Sequence, residues 1–160
     1  MEIADLSGAH DFNFQVGAWH VRHRRLTIRL QNSDAWEEFG GRCDMQLTLG
    51  GMGNIEQNVL DIASGRYHAI AIRAFDADAG TWAIWWLDGR APHALDVPVI
   101  GRFTDGVGEF TTADTVGDRP VLVRFLWLRT HTESPRWEQA MSLNGGASWE
   151  TNWEMDFTRA

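Results

Sequence analysis

The sequence predicts an all-β protein: a closed antiparallel up-and-down barrel of about ten strands, with a short helical turn before the first. Three observations predict it. Turn signals punctuate the chain at 31–34, 49–54, 63–65, 76–80, 104–108, 116–118, 130–135 and 144–148. The segments between them are short and rich in β-branched and aromatic residues. No segment longer than one turn holds a helical period. Consecutive strands with short connections are most economically satisfied when the sheet closes on itself and no edge is exposed. A two-sheet sandwich would need crossing connections, and only 88–98 is long enough to supply one. A barrel wider than the tightly filled eight-stranded kind leaves an internal cavity.

The elements follow in order. The stretch IADLSGAHDF (3–12) suits a helical turn. Strands are expected near 16–30, 35–48, 54–62, 67–75, 81–88, 97–104, 107–115, 120–130, 136–143 and 148–158. Alternation is strictest in WETNWEMDF (149–157), where Trp149, Thr151, Trp153, Met155 and Phe157 share one face. Glu150, Asn152, Glu154 and Asp156 share the other, so the first set is expected inside and the second in solvent. RWEQAMSL repeats the pattern with Trp137, Gln139, Met141 and Leu143. SLNGGASW (142–149) resembles the Ser-x-Asp-x-Gly-x-x-Trp box of sialidase-type propellers. One copy does not make a propeller, and the segment reads as a hairpin turn opened by Gly145 and Gly146.

A length of 160 residues fits one domain, 1–160. Nine tryptophans in so small a chain imply an aromatic wall as well as a core. A net charge of −8 opposes general binding to nucleic acid or anionic membrane. The basic group Arg22, His23, Arg24, Arg25 and Arg29 is too local to reverse that sign. The chain has no Lys, and its arginines are scattered, which reads as compositional bias. Cys43 is the single cysteine, the start lacks a secretory pattern, and no apolar run has membrane length. A soluble cytoplasmic protein is therefore expected.

The string DFNFQVGAWHVRHRRL carries Gly17-x-Trp19 on the first expected strand. In this it resembles the calycin superfamily of lipocalins, fatty-acid-binding proteins and nitrobindins. Together with AFDADAGTWAIWWLDGR and WETNWEMDF, it is similar over most of its length to a group of bacterial lipocalin-like proteins. The resemblance implies a small-molecule-binding barrel. It also implies that Trp19 closes one end against a late basic residue, for which Arg159 stands in the chain. Nitrobindins carry a haem-ligating His on a late strand. Here no His follows His131, so that residue is not carried over. No cofactor is expected, and a haem protein using His23 is disfavoured.

With Trp19 inward, alternation brings Val21, His23 and Arg25 inward as well. His23 then serves either as a satisfied core histidine or as a ligand contact. In YHAIAIRAF, Tyr67, Ala69, Ala71, Arg73 and Phe75 share a face, and the alanines leave room beside Arg73. The opposite face, His68, Ile70, Ile72 and Ala74, is also apolar, so the inward side stays open. A buried Arg73 needs a ligand anion or a protein carboxylate, with Glu56 and Glu138 as candidates. TWAIWWLDGR sets Trp82, Ile84 and Trp86 against Trp85 and Leu87. One set fills the barrel, and the other lies under a loop or at a subunit contact, for which a homodimer through the Trp85/Leu87 face is expected. The loop Asp88-Gly89-Arg90-Ala91-Pro92-His93 reads as a turn with a solvated Asp–Arg pair.

These residues point to binding of a small apolar or aromatic ligand, with an acidic end, in the barrel interior. The ligand-binding set is His23, Tyr67, Arg73, Trp86, Trp127 and Trp153, with Arg124 as a further basic candidate. An enzyme using His23, Tyr67 and Arg73 is the alternative, although no catalytic motif is present. No metal site is expected, because no ligand spacing occurs and His20 and His23 face opposite ways on a strand.

Overall fold

The computed structural model describes residues 5–160. Ten strands make one sheet: β1 (Gly17–Leu26), β2 (Trp36–Thr48), β3 (Gly53–Asp61), β4 (Tyr67–Asp76), β5 (Thr81–Asp88), β6 (Val99–Thr104), β7 (Val107–Val116), β8 (Arg119–Leu128), β9 (Arg136–Ser142) and β10 (Glu150–Arg159). Each pairs antiparallel with its neighbours in sequence, and β1 pairs with β10. The sheet is a closed up-and-down barrel, as the strand spacing predicts. Ser7–His10 and Asn13–Gln15 form 3₁₀ turns ahead of β1. Ile3 and Ala4, where the expected helical turn begins, lie outside the described residues.

Those turns plug one end. Phe12 is fully buried, with ring edges against Trp82 and Phe103 at 4.9 Å each. The Trp82 indole donates to Gly8 O at 3.0 Å, and the Trp19 indole donates to Gln15 O at 2.9 Å. Arg159, paired in register with Trp19, stacks 3.7 Å from its ring centroid and donates to Phe14 O at 3.0 Å and to Val16 O. The late basic partner implied by the calycin resemblance is therefore Arg159. Gly17 is required here: its φ is +106°, and a Cβ would stand 2.9 Å from Arg159 Nη1.

Alternation decides the two open facings. On β4, Tyr67, Ala69, Ala71, Arg73 and Phe75 are buried inside, and His68, Ile70, Ile72 and Ala74 form the outer face. On β5, Trp82, Ile84 and Trp86 point inward, and Trp85 and Leu87 lie outside.

Three expectations are corrected. The first strand ends at Leu26 rather than near residue 30. Leu30 and Asn32 take positive φ, 61° and 53°, and Thr27 N–H donates to Ala35 O, so the chain turns there. The strict alternation of β10 breaks at a bulge between Thr151 and Trp153. Beyond the bulge, Trp153, Met155 and Phe157 are buried as expected, and outer Glu154 and Asp156 pair with Arg136 at 2.8 and 2.9 Å. Before it the facing is reversed. Trp149 lies outside, and the Arg124 guanidinium sits 4.3 Å from its ring centroid. Asn152 is fully buried and accepts from inward Gln139 at 2.8 Å. Third, Arg124 is therefore an outer-face residue and does not enter the interior.

Arg159→Ala should lower the free energy of unfolding by about 2 kcal/mol, because it removes charge-assisted hydrogen bonds and a cation–π contact together. Urea denaturation checks this. A loss below about 0.5 kcal/mol would mean that the contact does not hold the closed end.

Candidate functional site

The end opposite the plug is a mouth. β5 and β6 pair at only three positions, Trp82–Gly101 to Ile84–Val99, so β5 runs on past its partner. The connection after β5 returns across this end and is tied back by Asp96 N–H donating to Trp86 O at 3.1 Å. The turn after β1 reaches the same end. Leu30 N–H donates to Glu150 Oε1 at 2.7 Å, and Arg119 Nη2 donates to Leu30 O at 3.1 Å. Two side chains from β10 and β8 thus hold a non-glycine residue at positive φ, a conformation that persists only where its surroundings enforce it. Arg29 precedes that residue.

Two compartments lie under these segments, of about 210 Å³ and 170 Å³. Both are lined by Arg29, Trp86, Asp96, Phe125 and Gln139. The larger adds Arg25, Tyr67, Asp88, Arg90, Trp137 and Trp153. The smaller adds Thr112, Asp114, Val123 and Met141. A third, inner space of about 20 Å³ lies deeper and shares Trp86, Phe125 and Trp137 with the mouth. These aromatics pack edge to face, Phe125 on Trp137 at 4.9 Å and Trp86 on Trp153 at 5.7 Å. They form an aromatic neck between the mouth and the deep end.

Charge is unevenly matched in the mouth. Arg25 donates to Tyr67 Oη at 2.9 Å and approaches Glu37 at 3.4 Å. Arg90 grips Asp88 with a closest contact of 2.7 Å and lies 3.6 Å from the Tyr67 ring centroid. The expected Asp–Arg turn pair is therefore present, and it also covers Tyr67. Burial raises the Asp88 carboxyl, but its hydrogen bonds from Arg90 outweigh this and hold it below the ordinary range. Arg29 makes no hydrogen bond or ion pair among the described residues. Burial, then the Arg25 charge, lower its pKa; a guanidinium still stays protonated. Burial, then Asp114 and Asp88, raise the Asp96 carboxyl, against the lowering by the Arg29 charge. The mouth thus holds a half-buried cation, Arg29, that no hydrogen-bonded carboxylate meets among the described residues, with Asp96 and Glu150 acting on it only as nearby charges.

The expected ligand-binding residues are all inside, but at different depths. Tyr67 and Trp153 belong to the mouth, Trp86 to the neck, and Arg73 and Trp127 to the deep end. Six residue steps of extended strand lead from Tyr67 to Arg73 on β4, about 20 Å, so the two do not reach one reacting atom. Arg73 is already matched: Nη2 donates to Glu56 Oε2 and Nη1 to Asn54 Oδ1, each at 2.9 Å, with both side chains of the ion pair nearly inaccessible. Of the two carboxylates named for it, Glu56 is the partner; Glu138 instead meets Arg136 at 2.8 Å.

His23 stacks on Phe39, with ring centroids 4.6 Å apart, and its Nδ1 accepts from the Trp153 indole at 3.1 Å. Gly41 makes room for it, since a Cβ there would stand 3.1 Å from His23 Nε2. Burial, then Arg25, push its pKa down to about 3. Arg29 and Asp96 were not among the expected site residues. The one signal for Arg29 was its membership of the basic cluster, since strand parity ends with β1 at Leu26. Asp96 lies in an irregular connection and had no periodic signal.

Among the described residues, no group of three His, Cys, Asp or Glu side chains could hold a metal ion. No described helix is long and apolar enough to cross a membrane. No protein-family model matches the chain, and no curated protein matches its sequence.

His23 carries a pH prediction. Its folded pKa lies below its unfolded value, so the unfolded chain takes up a proton first as pH falls. Stability should decline from about pH 6.5 toward 3, with a slope approaching 1.4 kcal/mol per pH unit from this group. Comparing unfolding of wild type and His23→Gln across that window isolates it from the carboxylates. Parallel curves would show that His23 is not held neutral.

Proposed function

We propose that the chain is a small-molecule-binding barrel of calycin type, which takes an apolar or aromatic ligand with an acidic end into the mouth. One observation carries the reading: Arg29, beside the strained turn at Leu30, lines both mouth compartments with no hydrogen-bonded partner among the described residues. A half-buried guanidinium favours an anion, and a carboxylate matches its fork. The aromatic walls of Trp86, Phe125, Trp137 and Trp153 suit the ligand body. The acid end is assigned to Arg29 rather than Arg73, because Glu56 already balances Arg73.

The test is titration of phenylalkanoic acids and their primary amides while following Trp fluorescence. Wild type should prefer the acids by about tenfold to a hundredfold, as expected for one charge-assisted pair. Arg29→Gln should abolish the preference. Equal affinities for acid and amide in wild type would contradict the assignment.

A homodimer through the Trp85/Leu87 face is part of the same proposal. Ile55, Ile72 and Trp85 lie in register across three strands, with Ile70 opposite Leu87, so the outer face presents an uninterrupted apolar row. Light scattering should give a dimer mass that Trp85→Glu reduces to that of the monomer. A monomer at all concentrations would remove the dimer.

A further inference from the structure

The deep end carries donors that the protein does not satisfy. The inner space beyond the aromatic neck is lined mainly by apolar groups, among them Ala71, Ile84, Met155 and Phe157. Its polar lining is Arg73, Glu56 and the Trp127 indole. Trp127 and Arg73 are 2% and 3% exposed. The Trp127 Nε1–H and the Arg73 Nε–H meet no acceptor among the described residues. The one carboxylate nearby is engaged. Glu56 Oε2 receives Arg73 Nη2 at 2.9 Å and Gln15 Nε2 at 3.3 Å, and Oε1 receives Asn58 Nδ2 at 3.2 Å. A buried donor left without an acceptor costs about 1–3 kcal/mol, and native structures keep few of them.

We infer that the deep end is a receptor for a single neutral hydrogen-bond acceptor, a carbonyl oxygen at the leading end of the ligand, held by Trp127 Nε1–H and Arg73 Nε–H. Three features select it. The two lining groups left unpaired are both donors, so the guest atom must accept. The Arg73 charge is cancelled by Glu56, so a second anion would add an uncompensated negative charge beside that carboxylate. The space of about 20 Å³ admits one atom or a small group, not a ring. The inference rests on the proposed function and sharpens it: the ligand is an aromatic or apolar keto acid, with its carboxylate at Arg29 and its carbonyl beyond the neck. Passage needs rearrangement of Trp86, Phe125 or Trp137, whose side chains line both spaces.

The experiment is calorimetric titration of the full chain with para-ethylphenyl-alkanoic acids of increasing chain length and with para-acetylphenyl-alkanoic acids of equal length, whose ketone lies beyond the ring at the leading end. At the length that spans the barrel, the ketone acid should bind about tenfold tighter than its methylene analogue, the worth of one well-made buried hydrogen bond. Trp127→Phe keeps the ring and removes the donor, so it should erase the ketone advantage while leaving the acid-over-amide preference intact. Arg29→Gln should do the reverse. A wild-type measurement stands beside the variants: one indole N–H resonance should move downfield with the ketone acid and stay with the methylene acid. Equal binding of both acids, with no indole shift, overturns the inference while leaving the mouth site standing, and means that a structural water serves the deep donors. If no acid of either series binds, the proposed function and the inference fall together.

Discussion

Closure of the sheet between β1 and β10 is the constraint on which the rest depends. Once β1 pairs with β10, every strand must send alternate residues inward, and the interior is filled or left open by what those residues are. The plug end is filled. Phe12, Trp82, Phe110, Trp127 and Phe157 pack there, and Arg159 locks Trp19 over them. The opposite end is open because β5 and β6 separate after three pairs and irregular segments cross it instead. One end is thus filled and the other is left open under irregular segments.

The buried charges divide the same way. At the deep end, Arg73 and Glu56 form a closed pair supported by Asn54, Gln15 and Asn58. Such a pair costs desolvation of both ions, and it persists because hydrogen bonds meet most of their remaining donors and acceptors. In the mouth, Arg25 and Arg90 are occupied by Glu37, Tyr67 and Asp88, and Arg29 is not. His23 stays neutral between Phe39 and Trp153 and adds shape without charge.

Much of this was legible in the sequence, for reasons that can be named. Turn residues at short intervals marked ten strands because Gly, Asn and Asp tolerate the backbone that a hairpin needs. The inward facing of Trp19, Val21, His23 and Arg25 followed from a period of two. The reversal of Trp149 and Asn152 did not, because a bulge inserts one residue without any composition signal. The facing of Arg73 stayed open because both sides of β4 are apolar. Its pairing with Glu56 depends on the β3–β4 register, which places Glu56 opposite Ala71, one inward step from Arg73. Arg29 was visible only as a member of a basic cluster. Its lack of a hydrogen-bonded carboxylate among the described residues arises from the fold, which brings Glu37 to Arg25 while Asp88 is taken by its turn neighbour Arg90.

The proposed anchoring of an acidic ligand by Arg29 is open to direct observation. The most direct measurement is a crystal structure of the complex with a phenylalkanoic acid. The account predicts the carboxylate at about 3 Å from the Arg29 guanidinium, with the phenyl group directed inward against Trp86, Phe125 and Trp137. A carboxylate turned outward to solvent, or Arg29 bound to Asp96 while the acid sits elsewhere, would contradict it.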